Sequence, residues 1–239
     1  MNIQMWSVKD YAEKDYFGTL EKLAKMGYSG IEFAGYYGIS KEDMKKKLTE
    51  LDLMAISAHV GVDALKNNLD GEIEYLNYVG AKYIICPAAE VKTVEGAKEI
   101  APFFNEVGKK AKEAGLIFGY HNHDFELKLD NGQYPLDVLF ENTDSEFVIM
   151  QPDLYWVAYA GLDPIKYLEK NKARCPIIHL KQIKDMDSKE NVNAGSGIIN
   201  FKKVMEMTAG ADYVYEQEHY NGTSMEEAER SINYFLKEN

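Results

Sequence analysis

Cysteine is scarce in this chain of 239 residues: there are two, Cys86 and Cys175, and each precedes a proline at the end of an apolar run. The lack of a CxxC pair or a cysteine cluster argues against a disulfide and against a structural zinc site, and both thiols are expected to be reduced core residues. Cationic side chains are in deficit. Twenty-seven Lys and Arg against 39 Asp and Glu leave a formal charge of −12. That balance favours solubility and works against nucleic-acid binding, which needs a cationic face to displace counterions. No apolar run approaches the roughly 20 residues of a membrane span. The opening Met1-Asn2-Ile3-Gln4-Met5-Trp6 lacks both the basic and the apolar regions of a signal peptide. A cytoplasmic protein with no membrane or nucleic-acid partner is therefore expected. Linkers rich in Pro, Gly or Ser are missing too, as are low-complexity tracts, so residues 1–239 are expected to form one domain.

What is present is an alternation. Short apolar, β-rich runs fall at 3–6, 30–33, 54–58, 83–86, 117–121, 147–151, 177–181 and 213–216. Their spacing of roughly 25 to 35 residues is that of a βα unit. Helical patterns fill the gaps at 16–26, 41–51, 65–79, 94–114, 135–142, 163–172, 201–207 and 225–236. Gly27, Gly80 and Gly115 sit where a helix would end before the next strand, the place where a left-handed cap favours glycine. The strands are mostly apolar rather than alternating, as in a parallel sheet buried on both faces. Eight such pairs predict a single (β/α)8 barrel, an α/β fold whose usual size matches this chain. A doubly wound open sheet is the runner-up. It would want a GxGxxG loop after the first strand, and none follows it.

Only five histidines occur, and none lies in a predicted helix: His59, His121, His123, His179 and His219 all fall at or just after strand ends. Glu32, Glu126, Asp153, Glu216 and Glu218 join them in the same layer. In a barrel these ends converge on one mouth, where active sites are built. Singly, each reads as a solvated loop residue or a satisfied hydrogen-bond partner. Together they mark a site, because charges inside apolar segments need a counter-ion or a metal. Asp153 within residues 148–157 and Glu216 within 213–216 are such charges. A mixed carboxylate and imidazole set suits one divalent ion: Mn, Zn, Co or Mg. Such an ion would act as a Lewis acid on a hydroxy-ketone and stabilise an enediolate, with a neighbouring carboxylate moving the proton.

The ordered motifs Tyr120-His121-Asn122-His123-Asp124-Phe125-Glu126, Asp153-Leu154-Tyr155-Trp156, Ala160-Gly161-Leu162-Asp163-Pro164, His179-Leu180-Lys181, Gly195-Ser196-Gly197-Ile198 and Glu216-Gln217-Glu218 carry a resemblance. With the N-terminal segments around Trp6, Glu32 and His59, they resemble the sugar phosphate isomerase/epimerase family of xylose isomerase-like TIM barrels. The resemblance implies one metal held from strands five to eight. Asp153, His179 and Glu216 match the last three positions. The first falls to His121 or, from the following loop, to Glu126, which otherwise serves as a substrate or proton-transfer residue. Glu126, Glu216 and Lys181 are the implied catalytic residues. Glu32, His59, His123, Trp156 and Trp6 are the implied substrate contacts, although buried aromatic packing suits the two tryptophans equally.

The leading expectation is a metal-dependent isomerase or epimerase acting on a keto-sugar, sugar phosphate or related polyol. A lyase or dehydratase acting on a 3-keto-sugar or an inosose in the same fold is the alternative. A non-catalytic sugar-binding barrel is the alternative from a different class, and a DNA-repair endonuclease is disfavoured by the charge. The partner is a small carbohydrate. Self-association into a homo-oligomer is left open.

Overall fold

The computed structural model describes residues 1–238. Eight parallel strands carry the architecture: β1 (Asn2–Gln4), β2 (Gly30–Phe33), β3 (Met54–His59), β4 (Tyr83–Cys86), β5 (Ile117–His121), β6 (Val148–Gln151), β7 (Ile177–Leu180) and β10 (Asp212–Tyr215). A short antiparallel pair, β8 (Gln182–Ile183) and β9 (Asn191–Val192), is inserted after β7. Neighbours run β6-β5-β4-β3-β2-β1-β10-β7. The seam between β6 and β7 is drawn shut by a parallel bridge between Asp153 and His179, where the His179 N–H donates to the Pro152 carbonyl at 3.0 Å. This is a nearly closed barrel wrapped by helices, and the open-sheet alternative is not what the chain forms.

The helices follow from local chemistry. The helix Tyr16–Met26 starts at Asp15, whose carboxylate accepts the Gly18 N–H. It buries Leu20 and Leu23 and ends at Gly27, with φ of 101°, a left-handed cap that costs glycine nothing. The longest helix, Val94–Glu113, is capped by Thr93 and turns Ala97, Ala101, Phe104, Val107 and Ala111 inward, one per turn of a 3.6-residue period.

Four details depart from the sequence expectation. The first strand stops at Gln4 because the Gln4 side chain accepts the Trp6 N–H at 3.0 Å. That bond turns the chain into a 3-10 segment, Met5–Val8, and takes Trp6 off the strand. The helix expected over 65–79 is two, Val62–Asn67 and Leu69–Val79, broken at Asn68. The β8–β9 pair has only two residues per strand, too few for a period-two pattern. The helix Leu154–Tyr159 directly after β6 was also unforeseen. Among the described residues, no helix is long and apolar enough to cross a membrane.

Two apolar cores result. Ile56, Tyr83, Ile85, Ile177 and Val214 plug the barrel interior. A larger core, with Leu20, Phe104, Phe118 and Leu180, joins the helices to the outer face. Above the plug the interior turns polar. Strand register sets Gln4 beside Glu32, Glu32 beside Ser57, and His121 beside Gln151, so the polar side chains meet as one layer.

The helix Val94–Glu113 touches backbone at Gly108, where an added Cβ would lie 2.2 Å from the Phe147 carbonyl oxygen. A rigid carbonyl cannot yield as a side chain can. Gly108→Ala is expected to lower unfolding free energy by about 1–3 kcal/mol in urea titration. A variant as stable as the parent would mean that this contact is not maintained.

Candidate active site and metal centre

Glu32, fully buried at the end of β2, organises the layer. One carboxylate oxygen accepts Gln4 Nε2 at 2.7 Å and lies 2.5 Å from His179 Nε2 and 3.1 Å from His59 Nε2. The other accepts Ser57 Oγ at 2.5 Å and Gln151 Nε2 at 2.7 Å. Burial alone would raise this carboxyl, but the imidazoles of His59 and His179 hold it well below the usual carboxylate range. Expected from the resemblance to meet substrate hydroxyls, Glu32 is instead enclosed beneath the pocket with both oxygens engaged.

Two histidines are oriented from this base. With Nε2 on Glu32, His179 turns Nδ1 toward Glu216, 3.2 Å away. Burial would lower its pKa, yet the two flanking carboxylates carry it to about 10. The Gln151 amide donates to Glu32, so its oxygen must accept. It lies 3.0 Å from His59 Nε2 and 3.1 Å from His121 Nδ1. Nδ1 of His121 is thereby assigned the proton, which leaves the Nε2 lone pair facing Asp153 Oδ2 at 3.9 Å. Burial and the neighbouring imidazoles push His121 well below its ordinary pKa, so it stays neutral.

Asp153 is placed by helix capping. One oxygen accepts the Tyr155 and Trp156 N–H groups at 2.9 and 3.2 Å, and the Asp153 N–H donates to Asn122 Oδ1. The other oxygen, buried, accepts no hydrogen bond. Burial raises the carboxyl to about 7 against the pull of Lys181. Glu216 goes the other way: burial is outweighed by Lys181 and His179, and it lies far below the usual range. The Lys181 ammonium is buried, 3.5 Å from Glu216 and 3.8 Å from Asp153, and paired with Glu218. Burial opposes its charge, but these three carboxylates raise its pKa.

Ligand atoms of His121, Asp153, His179 and Glu216 all lie within 4.8 Å of one another. Donors bound at about 2.0–2.2 Å to one ion sit at comparable separations, and an acceptor with no donor suits a cation. His59, His121 and His179 form a second such group, but there two of the ring nitrogens already face Glu32. Over the four-donor group opens a cavity of about 430 Å³ lined by His59, His121, His123, Glu216, Glu218 and Trp6. Burial pushes His123 down to about 4. Trp156 stands beside it, ring centroids 5.5 Å apart. Trp6 is on the rim, 42% exposed, with the Lys9 ammonium 3.7 Å from its ring centroid.

Glu126 is the residue that the fold sends elsewhere. Its oxygens accept the Tyr120 hydroxyl at 2.7 Å and the His123 N–H at 2.9 Å. It is not among the residues that line this cavity and stands outside the four-donor group. Sequence reasoning missed Gln4, Ser57 and Gln151, neutral side chains inside apolar runs, and Asn122, set between two histidines. Gln151, directly before Pro152-Asp153, was the nearest thing to a signal. Glu218 was seen beside Glu216 but given no role.

The profile of the xylose isomerase-like TIM barrel matches residues 20–238. An inosose dehydratase from Bacillus cereus is 24% identical over 242 residues, spanning 84% of this chain and 80% of that protein. One from Clostridium perfringens is 26% identical over 195 residues, spanning 72% and 65%. A crystal structure of a sugar phosphate isomerase/epimerase from Parabacteroides distasonis superposes with a TM-score of 0.85 at 26% identity, covering 99% of this chain and 97% of that one.

Burial lifts the Glu126 carboxyl from 4.5 to about 7. A raised folded pKa means that folding favours the protonated form. The stability this contributes is complete below about pH 4.5 and is lost as pH rises through about 7. Glu126→Gln removes that titration. The difference in unfolding free energy between pH 5 and pH 8 is expected to shrink by about 2–3 kcal/mol relative to the parent. An unchanged pH slope would show that Glu126 is not held protonated.

Proposed function

This chain belongs to the xylose isomerase-like TIM barrel family, and on that premise we propose that it is a metal-dependent lyase dehydrating a cyclic polyhydroxy ketone of the inosose or 3-keto-sugar class. The observation that carries the reading is the buried four-donor group, with an Asp153 oxygen that accepts no hydrogen bond, set beside the Lys181–Glu218 pair. His121, Asp153, His179 and Glu216 would hold the ion, one of Mn, Zn, Co or Mg. The chemistry available from a divalent cation there is Lewis acidity toward a carbonyl oxygen.

The remaining steps fall to the chain. Glu218 lines the cavity and takes the proton from the carbon next to the carbonyl. Lys181, kept protonated by its three carboxylates, gives a proton to the departing β-hydroxyl, which leaves as water. The contact between the two lets the proton taken by Glu218 return to Lys181 and reset the pair. Glu32 and Gln151 hold the two imidazoles in the tautomers that the site needs.

Elimination is favoured over epimerisation on a specific ground. Two-base epimerisation needs proton acceptors on both faces of one carbon. Here the strand-five position is an imidazole within the donor group, and the nearby carboxylate, Glu126, is committed to Tyr120 and His123. The dehydratase relatives support the same choice. An isomerase or epimerase is the second reading, supported by the likeness to the Parabacteroides distasonis structure.

Metal analysis of the purified protein is expected to find stoichiometric divalent ion, lost in Asp153→Ala, His179→Ala. With manganese, inosose or 3-keto-glucose should lose water to an enone that absorbs in the ultraviolet. Solvent-proton exchange without water loss would favour the isomerase, and neither reaction on either compound would sink the enzyme reading. Glu32→Gln is expected to weaken metal affinity about 10–100-fold while circular dichroism is unchanged. Parental affinity would remove Glu32 from the positioning role.

A further inference from the structure

A second cavity, of about 340 Å³, opens beside the first and is lined in part by Tyr155, Tyr159, Lys189, His219, Tyr220 and Asn221. The two adjoin along the chain: Glu218 lines the inner one and His219 the outer. An aromatic wall runs between them. His123 meets Trp156 at 5.5 Å, and Trp156 meets Tyr155 at 4.8 Å and Tyr159 at 5.4 Å. The Lys181 ammonium stands at the junction, 4.6 Å from the Trp156 centroid and 5.2 Å from that of Tyr155.

We propose that this outer cavity is a subsite for a second, uncharged ring, so that the substrate is a keto-sugar bearing a glycosyl or aryl substituent. The proposal rests on the keto-sugar reading of the inner site. Three observations carry it. The outer wall is built in advance: Asn191 donates to the Gln182 carbonyl at 3.0 Å and accepts the Glu218 and His219 N–H groups at 2.7 and 3.4 Å, tying the β8–β9 turn to the segment after β10. Its charged side chains are one of each sign, Lys189 and Glu190, so the lining offers an anion no net attraction; Lys189 donates to the Tyr159 carbonyl at 2.7 Å, and Glu190 accepts Lys184 at 2.8 Å. The side chains of His219, Tyr220 and Asn221, by contrast, make no hydrogen bond among the described residues. Tyrosine faces with polar groups at their edges match a sugar or aryl ring, apolar on its face and hydroxylated at its rim.

Calorimetry on the manganese-loaded protein compares 3-keto-glucose, its 6-phosphate and phenyl 3-keto-glucoside. The two-ring compound is expected to bind about tenfold more tightly than 3-keto-glucose. In Tyr159→Ala and Tyr220→Ala that preference should fall below about threefold, with manganese affinity unchanged. The proposal is overturned if the two-ring compound does not bind, if it binds no better than the single ring, if the variants keep the tenfold preference, or if the phosphate binds tightest. These titrations are run in the Glu218→Gln background, which lacks the proposed base, so affinity is read without turnover and these outcomes are distinct from a failure of the lyase reading, which shows as missing metal or missing reaction in the parent.

Discussion

Everything at the mouth of this barrel depends on one buried carboxylate. An ionised Glu32 in an apolar interior is tolerable only if its charge is answered from every side. Gln4, Ser57, His59, Gln151 and His179, from four different strands, supply that answer. The condition runs both ways. Each partner is pinned in the orientation that satisfies Glu32, so the atoms it does not use point upward. His179 Nδ1 and, by way of Gln151, His121 Nε2 are presented to the pocket as a consequence of solvating a charge below it.

Barrel closure supplies the second half of the site. The seam between β6 and β7 meets at Asp153 and His179, so the bridge that completes the cylinder also joins two of the four donors. Asp153 divides its labour. One oxygen caps the helix Leu154–Tyr159, and the other accepts no hydrogen bond and faces the Lys181 ammonium at 3.8 Å, a place where a cation is favoured. The balance between burial and charge sorts the acids nearby. Glu216 beside Lys181 is held ionised, whereas Glu126, in no ion pair among the described residues and bonded to Tyr120, is driven toward neutrality. That sorting weakens a two-base mechanism and leaves the Lys181–Glu218 pair as the natural proton couple.

Much of this was legible in the residues. Eight apolar runs at βα spacing predicted a parallel barrel, and the strands appear within a residue or two of the expected places. The resemblance read from the ordered motifs agrees with the family profile that matches residues 20–238. The convergence of all five histidines on one end followed from the barrel rule alone. The route of the chain after β7 was not legible, because a two-residue hairpin leaves no periodic trace, and the outer cavity is built on it.

By itself, then, the sequence determined the fold class, the polarity of the barrel and the short list of residues able to meet at its mouth, because strand and helix periodicity are local properties. Only the tertiary structure decided which way each side chain turned. Glu32 moved from substrate contact to foundation, and Glu126 from proton carrier to a buried brace of the His123 turn. For Glu32 the partners are distant in sequence, Gln151 and His179; for Glu126 they are near, Tyr120 and His123, but strand β5 decides which way they face. Hydrogen-bond satisfaction in a closed interior is a collective condition, and no single stretch of residues contains it.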